Sequence, residues 1–253
     1  MKTVLVTGAT SGIGRATAVA FAQRGYRLVV TGRREDALRE LAREIEAMGA
    51  EVKALQFDVR SYEAAESALR SLPFDWQAVD ILVNNAGGAL GLEPIFEGDR
   101  SDWDTMVDAN VKGLLYMTRL IVPGMVERQS GHIINIGSVA GDAAYAGGGV
   151  YCATKAAVKA LTDGLRLDLV STPLRVTNIK PGLVETNFSV TRFHGDTERA
   201  SNVYKGIVPL RGEDIASVVV YAAEAPAHVQ IAEVLVLATH QANGSTIYRK
   251  QSE

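Results

Sequence analysis

The chain has 253 residues, 47% of them hydrophobic and 22% charged, with a formal net charge of −3. That is the balance of an ordinary globular protein, long enough for a large core in one domain or two. No block of lysine and arginine offers a nucleic-acid surface, and no run comes near the ~20 apolar residues of a membrane span. A single cysteine excludes an internal disulfide, and the opening MKTVLVTGAT leaves no room for a cleavable signal, so a cytoplasmic protein is expected.

Apolar, strand-like runs alternate with helical patterns along the whole chain, the signature of βα units around a parallel sheet. The first strand is read at 3–7 and runs into the glycine turn TGATSGIG at 7–14, which opens a helix at 13–23. Gly8 permits the tight turn there, and Gly12 and Gly14 let the backbone approach a pyrophosphate. The amides around Thr10, Ser11 and Ile13 begin the helix and favour an anion. A second strand at 27–31 ends in VVTGRRED, with Thr31 and Gly32 where a carboxylate would accept the ribose hydroxyls of NAD. Arg33 and Arg34 follow at once, and two guanidinium groups suit a 2′-phosphate, so NADP is the expected cofactor.

Next come a helix at 35–48, a strand at 51–57, a helix at 61–72 and a fourth strand at 79–84 that runs into NNAG. A long helix is expected at 102–128, then a strand at 132–137 ending in IGS, and a helix at 150–169 carrying YCATK. The last pieces are strands at 174–180 and 232–237 with a helix at 213–223 between them. Gly25 and Gly49 each stand just past a helix, where a left-handed residue is favoured. The seven strands suffice for one doubly wound α/β sheet with helices on both faces. The stretch 183–211 is too long for a plain connection and is expected to be a lid over the substrate.

Tyr151 and Lys155 stand four residues apart, one turn apart on one helix face. An ammonium so placed can stabilise a phenolate and hold a cofactor ribose, and a tyrosine of ordinary pKa ~10 needs such a neighbour to exchange protons near neutral pH. The four histidines are scattered with no metal-ligand spacing and Cys152 has no partner, so no metal is expected. Ser138 follows no nucleophile-elbow pattern, which argues against a hydrolase.

The order of a glycine turn after the first strand, NNAG after the fourth, Ser138 after the fifth and Tyr151 with Lys155 on the next helix resembles the short-chain dehydrogenase/reductase family over essentially the whole chain. The resemblance implies a single-domain Rossmann-type fold and nicotinamide chemistry. It implies that Asp58 and Val59 contact adenine, and that Asn85, Ala86 and Gly87 line the adenosine ribose, although NNAG can equally stabilise the sheet. Asn110, in DANVKG, matches the residue that bends its helix and holds a water next to the lysine. Pro181, Gly182, Val184 and Thr186 lie in a PGxxxT segment that covers the nicotinamide. Ser138 and Tyr151 would hydrogen-bond the substrate oxygen, with Tyr151 as acid in reduction and base in oxidation.

Within that family the chain is similar, nearly end to end, to the bacterial NADP-dependent 3-hydroxy acid dehydrogenases, in stretches such as LVNNAGGALGLEP, YAGGGVYCATK and TRFHGD. These oxidise serine, allo-threonine and 3-hydroxyisobutyrate and reduce malonic semialdehyde; sulfoacetaldehyde reductases share much of the pattern. Both kinds of substrate carry an anion near the reacting carbon, so the resemblance implies a cation in the lid. Arg192 is the candidate, with Tyr145 as a second polar contact and Lys205 and Arg211 as rivals. Ala143 and Ala144 replace the usual tryptophan and proline before the loop tyrosine, which leaves the pocket shape open. A 3-oxoacyl-carrier reductase is an alternative, but such relatives usually end in a glycine-rich segment where this chain has VLVLATHQANGSTIYRK. A cofactor-sensing module without catalysis typically lacks the tyrosine or the lysine. The family norm is a homotetramer built on paired long helices, here 102–128 and 150–169.

Overall fold

Residues 1–250 are described in the computed structural model. One parallel sheet holds β1 (Thr3–Val6), β2 (Arg27–Gly32), β3 (Val52–Gln56), β4 (Ile81–Asn84), β5 (His132–Ile136), β6 (Arg175–Pro181) and β7 (Glu233–Val236). The spatial order is β3-β2-β1-β4-β5-β6-β7. The chain winds outward from β1 to β3, returns to β4 beside β1, and then winds the other way. The crevice at the carboxyl ends of β1 and β4 is therefore the switch point where open α/β sheets bind ligands.

The helices are α1 (Gly12–Ala22), α2 (Glu35–Ala47), α3 (Tyr62–Arg70), α4 (Arg100–Val107), α5 (Gly113–Glu127), α6 (Gly149–Asp168), α7 (Phe188–Arg192), α8 (Thr197–Asn202) and α9 (Gly212–Glu224). Successive strand side chains point to opposite faces, and the core divides accordingly. Val4, Val6, Leu28, Val30, Ile81, Val83 and Ile134 pack with Phe21 of α1, Leu41 of α2 and Val219 of α9. Leu5, Val29, Leu82, Ile133 and Val176 pack on the other face with Met117, Ile121 and Met125 of α5. Both faces are covered, which is why the inner strands read as continuous apolar runs. Each fully buried side chain of this kind contributes roughly 1.5–3 kcal/mol.

All seven strands lie where the sequence places them, with ends shifted by a residue or two. Two expectations change. The single helix read at 102–128 begins at Arg100, capped by the Asp99 carboxylate on the Ser101 amide, and is broken by a π turn at Asp108–Lys112. The stretch 183–211 is not irregular throughout, since it contains α7 and α8. Its two stems are pinned together: the Glu185 amide donates to Leu210 O at 2.7 Å and the Leu210 amide to Leu183 O at 2.9 Å. The whole stretch is thus a compact excursion that leaves and rejoins the scaffold at one place.

Candidate active site

The switch-point crevice opens into a cavity of about 640 Å³, a volume suited to a cofactor with a small substrate. Its floor is the β1–α1 turn. Gly8 and Gly12 have φ of +64° and +53°, the left-handed region in which a side chain is strained. A Cβ on Gly8 would stand 2.8 Å from Ala86 Cα, and one on Gly14 would collide with the Gly8 carbonyl and the Asn85 carboxamide. Ser11 caps α1 but its hydroxyl makes no cap bond, which leaves the positive end of the helix facing the cavity.

The NNAG segment stabilises the sheet and also borders the cavity. The Asn85 carboxamide donates to Thr7 O at 2.9 Å and Gly8 O at 3.1 Å, while the Thr7 hydroxyl accepts the amides of Asn85 and Ala86 at 3.0 Å each. These bonds lock the ends of β1 and β4 together. The strip from Asn85 to Gly87 lines the cavity.

At the far end from the lid, Arg33, Asp58, Val59 and Arg60 line the cavity. Arg34 does not; its guanidinium donates to Thr10 O at 3.1 Å. Arg60 was not singled out from the sequence, although it directly follows Asp58 and Val59. It donates to one carboxylate oxygen of Asp58 at 3.0 and 2.7 Å. Burial acts to raise the Asp58 pKa, but the Arg60 hydrogen bonds and charge outweigh it and hold the carboxyl below its ordinary value.

The candidate catalytic pair Tyr151 and Lys155 is placed by α6, which two buried polar ladders tie to the rest of the fold. In one, Asn84 donates to Asn135 at 2.9 Å, Asn135 to Thr162 at 2.9 Å and Thr162 to Val158 O at 2.6 Å. In the other, Asn110 in the π turn accepts the Gly88 amide at 2.8 Å and donates to Gly88 O and Thr154 at 2.9 Å each. The Asn110 side chain is therefore a strut between the π turn, the NNAG strip and α6.

Ser138 begins a short 3₁₀ turn at Val139–Gly141, and its oxygen accepts the Ala140 amide at 3.1 Å. Burial pushes the Tyr151 phenol well above its ordinary pKa; a hydrogen bond with Ser138 and the charge of Arg192 pull it back. Lys155 is buried and its pKa is pushed down to about 8 by that burial. Its ammonium lies 6.0 Å from the Tyr151 ring centroid and donates to Ile136 O at 2.8 Å. The shared helix face is as read from the sequence, but the nearest acceptor is the last carbonyl of β5 and not the phenol.

Arg192, at the end of α7, closes the side of the cavity formed by the stretch 183–211. Its Nε donates to Gly91 O at 3.0 Å and its Nη1 to the Tyr145 hydroxyl at 2.9 Å. The guanidinium lies 5.8 Å from the Tyr151 ring centroid and its Nη2 is buried without a partner. Phe188, also unremarked in the sequence, meets the Tyr151 ring edge-on at 5.7 Å between centroids. Thr186 stands over the glycine turn, where a Cβ on Gly12 would come within 3.1 Å of its methyl group. Pro181, Gly182 and Val184 line the cavity. Lys205 and Arg211 are absent from the cavity lining; Arg211 caps α9. Among the described residues no cluster of side chains could hold a metal ion, and no helix is long and apolar enough to cross a membrane.

Residues 2–196 match the family model described as short chain dehydrogenase. This chain belongs to the short-chain dehydrogenase family. Within the family it is 51% identical over 229 residues to the NADP-dependent 3-hydroxy acid dehydrogenase YdfG of Escherichia coli K12, covering 90% of this chain and 91% of that one. It is 42% identical over 253 residues to the NADP-dependent 3-hydroxy acid dehydrogenase of Schizosaccharomyces pombe, covering 99% and 98%. Among solved structures, the closed form of serine dehydrogenase complexed with NADP+ superposes with a TM-score of 0.93 at 48% identity, covering 98% of this chain and all of that one.

Proposed function

We propose that this short-chain dehydrogenase is an NADP-dependent oxidoreductase acting on the 3-hydroxyl or 3-oxo group of a small anionic hydroxy acid. The observation that carries the substrate class is the buried, unpartnered Nη2 of Arg192 beside Tyr151. A buried guanidinium N–H without an acceptor is costly, and a carboxylate is its natural bidentate partner. The names of the relatives agree with this class.

The chain's own residues fit a dinucleotide. The glycines at 8, 12 and 14 leave a cradle that any Cβ would fill, and α1 points its positive end into it. Arg33, Asp58, Val59, Pro181, Gly182, Val184 and Thr186 all line the cavity; Arg33 would meet a 2′-phosphate, Asp58 and Val59 would take the adenine, and Pro181, Gly182, Val184 and Thr186 would take the nicotinamide. When bound, the cofactor supplies or accepts the hydride. Tyr151 gives a proton to the substrate oxygen in reduction and takes one in oxidation, while Ser138 holds that oxygen by a hydrogen bond. Lys155 adds a buried positive charge near the phenol, and Asn110 keeps α6 in register with the NNAG strip. Stretch 183–211 serves as the lid of this single domain, excluding water and strengthening the Arg192 ion pair.

The chain is read as cytoplasmic, supported by its one buried cysteine. A homotetramer is supported by apolar groups left open on the long helices, with Leu115 of α5 41% exposed and Leu167 of α6 74% exposed. The test of the function is steady-state turnover of 3-hydroxypropanoate, serine and 3-hydroxyisobutyrate with NADP against NAD. Activity confined to uncharged alcohols, or equal use of the two cofactors, would overturn it.

A further inference from the structure

The chain beyond β7 turns back on itself over the site. Gln241 and Ile247 form an antiparallel bridge, with the Tyr248 amide donating to His240 O and the Ala242 amide to Thr246 O at 2.9 Å each. The Asn243 side-chain oxygen accepts the amides of Ser245 at 2.9 Å and Thr246 at 2.7 Å, closing the tip as asparagine does in turns. Three fastenings give this hairpin its place. Its base is held by Gln241, 7% exposed, whose side-chain oxygen accepts the Leu183 amide at 2.8 Å. Its tip lies against the segment between β5 and α6, where a Cβ on Gly244 would stand 3.8 Å from the Tyr145 ring and 3.9 Å from a Val139 methyl. Its far end grips the lid: Arg249 donates to Lys205 O at 2.5 Å and Val203 O at 2.9 Å, and the Lys250 amide donates to Gly206 O at 2.8 Å.

Gln241, Gly244, Ile247 and Arg249 line the same cavity as Tyr151 and Arg192. The Arg249 acceptors are carbonyls just past α8, the negative end of that helix, where a cation is favoured. The hairpin tip thus forms part of the cavity wall beside Tyr145. A glycine at 244 is the smallest wall that can stand there.

We propose that the hairpin 240–250 is a specificity element: its tip sets the upper size of the substrate, and Arg249 clasps the lid shut over it. The proposal rests on the reading of the site as one for small hydroxy acids. An acyl group carried on a thioester arm needs an open channel from Tyr151 to the surface, and a hairpin lining the cavity beside Tyr145 would narrow it. The consequence is selection of free small acids over carrier-bound acyl groups, by exclusion at the tip in addition to attraction by Arg192.

The test compares kcat/KM for 3-hydroxypropanoate, 3-hydroxyisobutyrate and the N-acetylcysteamine thioester of 3-oxobutanoate, with NADP affinity and melting temperature as controls. Three variants are used: the chain ended after Asn243, which keeps Gln241 on Leu183; Gly244→Leu; and Arg249→Ala. Ending the chain should raise the thioester-to-acid ratio at least about tenfold, and Gly244→Leu should lower use of 3-hydroxyisobutyrate relative to 3-hydroxypropanoate by about tenfold, the scale of a methylene group misfitting a pocket. Arg249→Ala should raise KM for both acids and leave NADP affinity unchanged. The point variants keep the test decisive if the shortened chain fails to fold. For the shortened chain and Gly244→Leu, parallel changes on all substrates or unchanged ratios in stably folded protein overturn the tip as a size limit, and an unchanged KM for the acids in Arg249→Ala overturns the clasp. Wild-type turnover of the thioester in preference to the acids overturns the functional reading itself, a result visible before any variant is made.

Discussion

At the β1–β4 end of the cavity the surface is largely main chain. The turn from Gly8 to Gly14 and the strip from Asn85 to Gly87 are locked to one another by hydrogen bonds through Thr7 and Asn85, and no Cβ could be added at Gly8 or Gly14 without displacing the other. At the lid end the surface is side chains brought from far apart: Arg192 reaches Gly91 across 101 positions of sequence and Tyr145 across 47. The first arrangement has one shape, set by the sheet. The second depends on where the stretch 183–211, the segment between β5 and α6 and the C-terminal hairpin come to rest. Damage at the first end should weaken every dinucleotide-dependent reaction alike, and damage at the second should change which substrate is taken.

The largest effect is expected where the two ends meet. Tyr151→Phe keeps the edge-on packing against Phe188 and removes the proton donor, so turnover should fall ~10²- to 10⁴-fold. NADP affinity, read by fluorescence titration, should persist because the glycine cradle is untouched. Near-normal turnover would take Tyr151 out of the mechanism.

Arg192→Ala tests the lid end alone. Loss of kcat/KM on 3-hydroxy acids should be about 2 to 4 kcal/mol, the range for truncating one partner of a buried charge pair. An uncharged alcohol of similar size should be affected little. Equal losses on both would show that Arg192 holds the lid through Gly91 and Tyr145 and does not bind the anion.

The comparison also explains what could be read from the chain. Strands, glycine turn, NNAG and the Tyr151–Lys155 pair are local patterns, with the spacing of each set by strand or helix geometry, and the fold and the cofactor half follow from them. Arg192 was reached only through resemblance, since nothing local marks one lid arginine over Lys205 or Arg211. Its free Nη2 is a property of the packed lid. Arg60 was visible as a charge beside Asp58, but its direction was not. The lysine contact differs because helix spacing fixes a shared face but not the nearest acceptor, which proves to be Ile136 O. The hairpin left no pattern beyond turn residues, since Arg249 gains meaning only from carbonyls 44 and 46 positions away.

A milder test addresses the cofactor end. Arg33→Ala should raise KM for NADP by a factor equivalent to about 1.5 to 3 kcal/mol, the worth of a charged hydrogen bond, with little change for NAD. Arg34→Ala should do less, because that guanidinium is directed at Thr10 O. A larger effect from Arg34 than from Arg33 would reverse their roles.

The smallest effect separates scaffold from site by pH. His132 begins β5, at the amino ends of the strands and away from the cavity, and burial first, then the charges of Arg175 and Lys2, push its pKa down to about 3. The Thr177 hydroxyl donates to Ile231 O, so His132 Nε2 must donate to Thr177 at 2.7 Å, and Nδ1 is buried unprotonated without a partner. Below pH ~6.5 the unfolded chain binds a proton that the folded chain refuses, so stability falls as pH drops from there toward 3 and is flat above; the loss is about 1 kcal/mol at pH 5.5. Lys155 acts in another window. Its folded pKa of about 8 lies below the ordinary 10.5, so between those values only the unfolded chain holds the proton, and stability rises with pH. His132→Gln keeps the donor to Thr177 and removes the titration. Urea midpoints at pH 5.5 and 7 should then converge, while the alkaline rise and the kinetic preference for hydroxy acids stay as in the wild type. An acid loss that survives in His132→Gln would place its origin elsewhere in the scaffold.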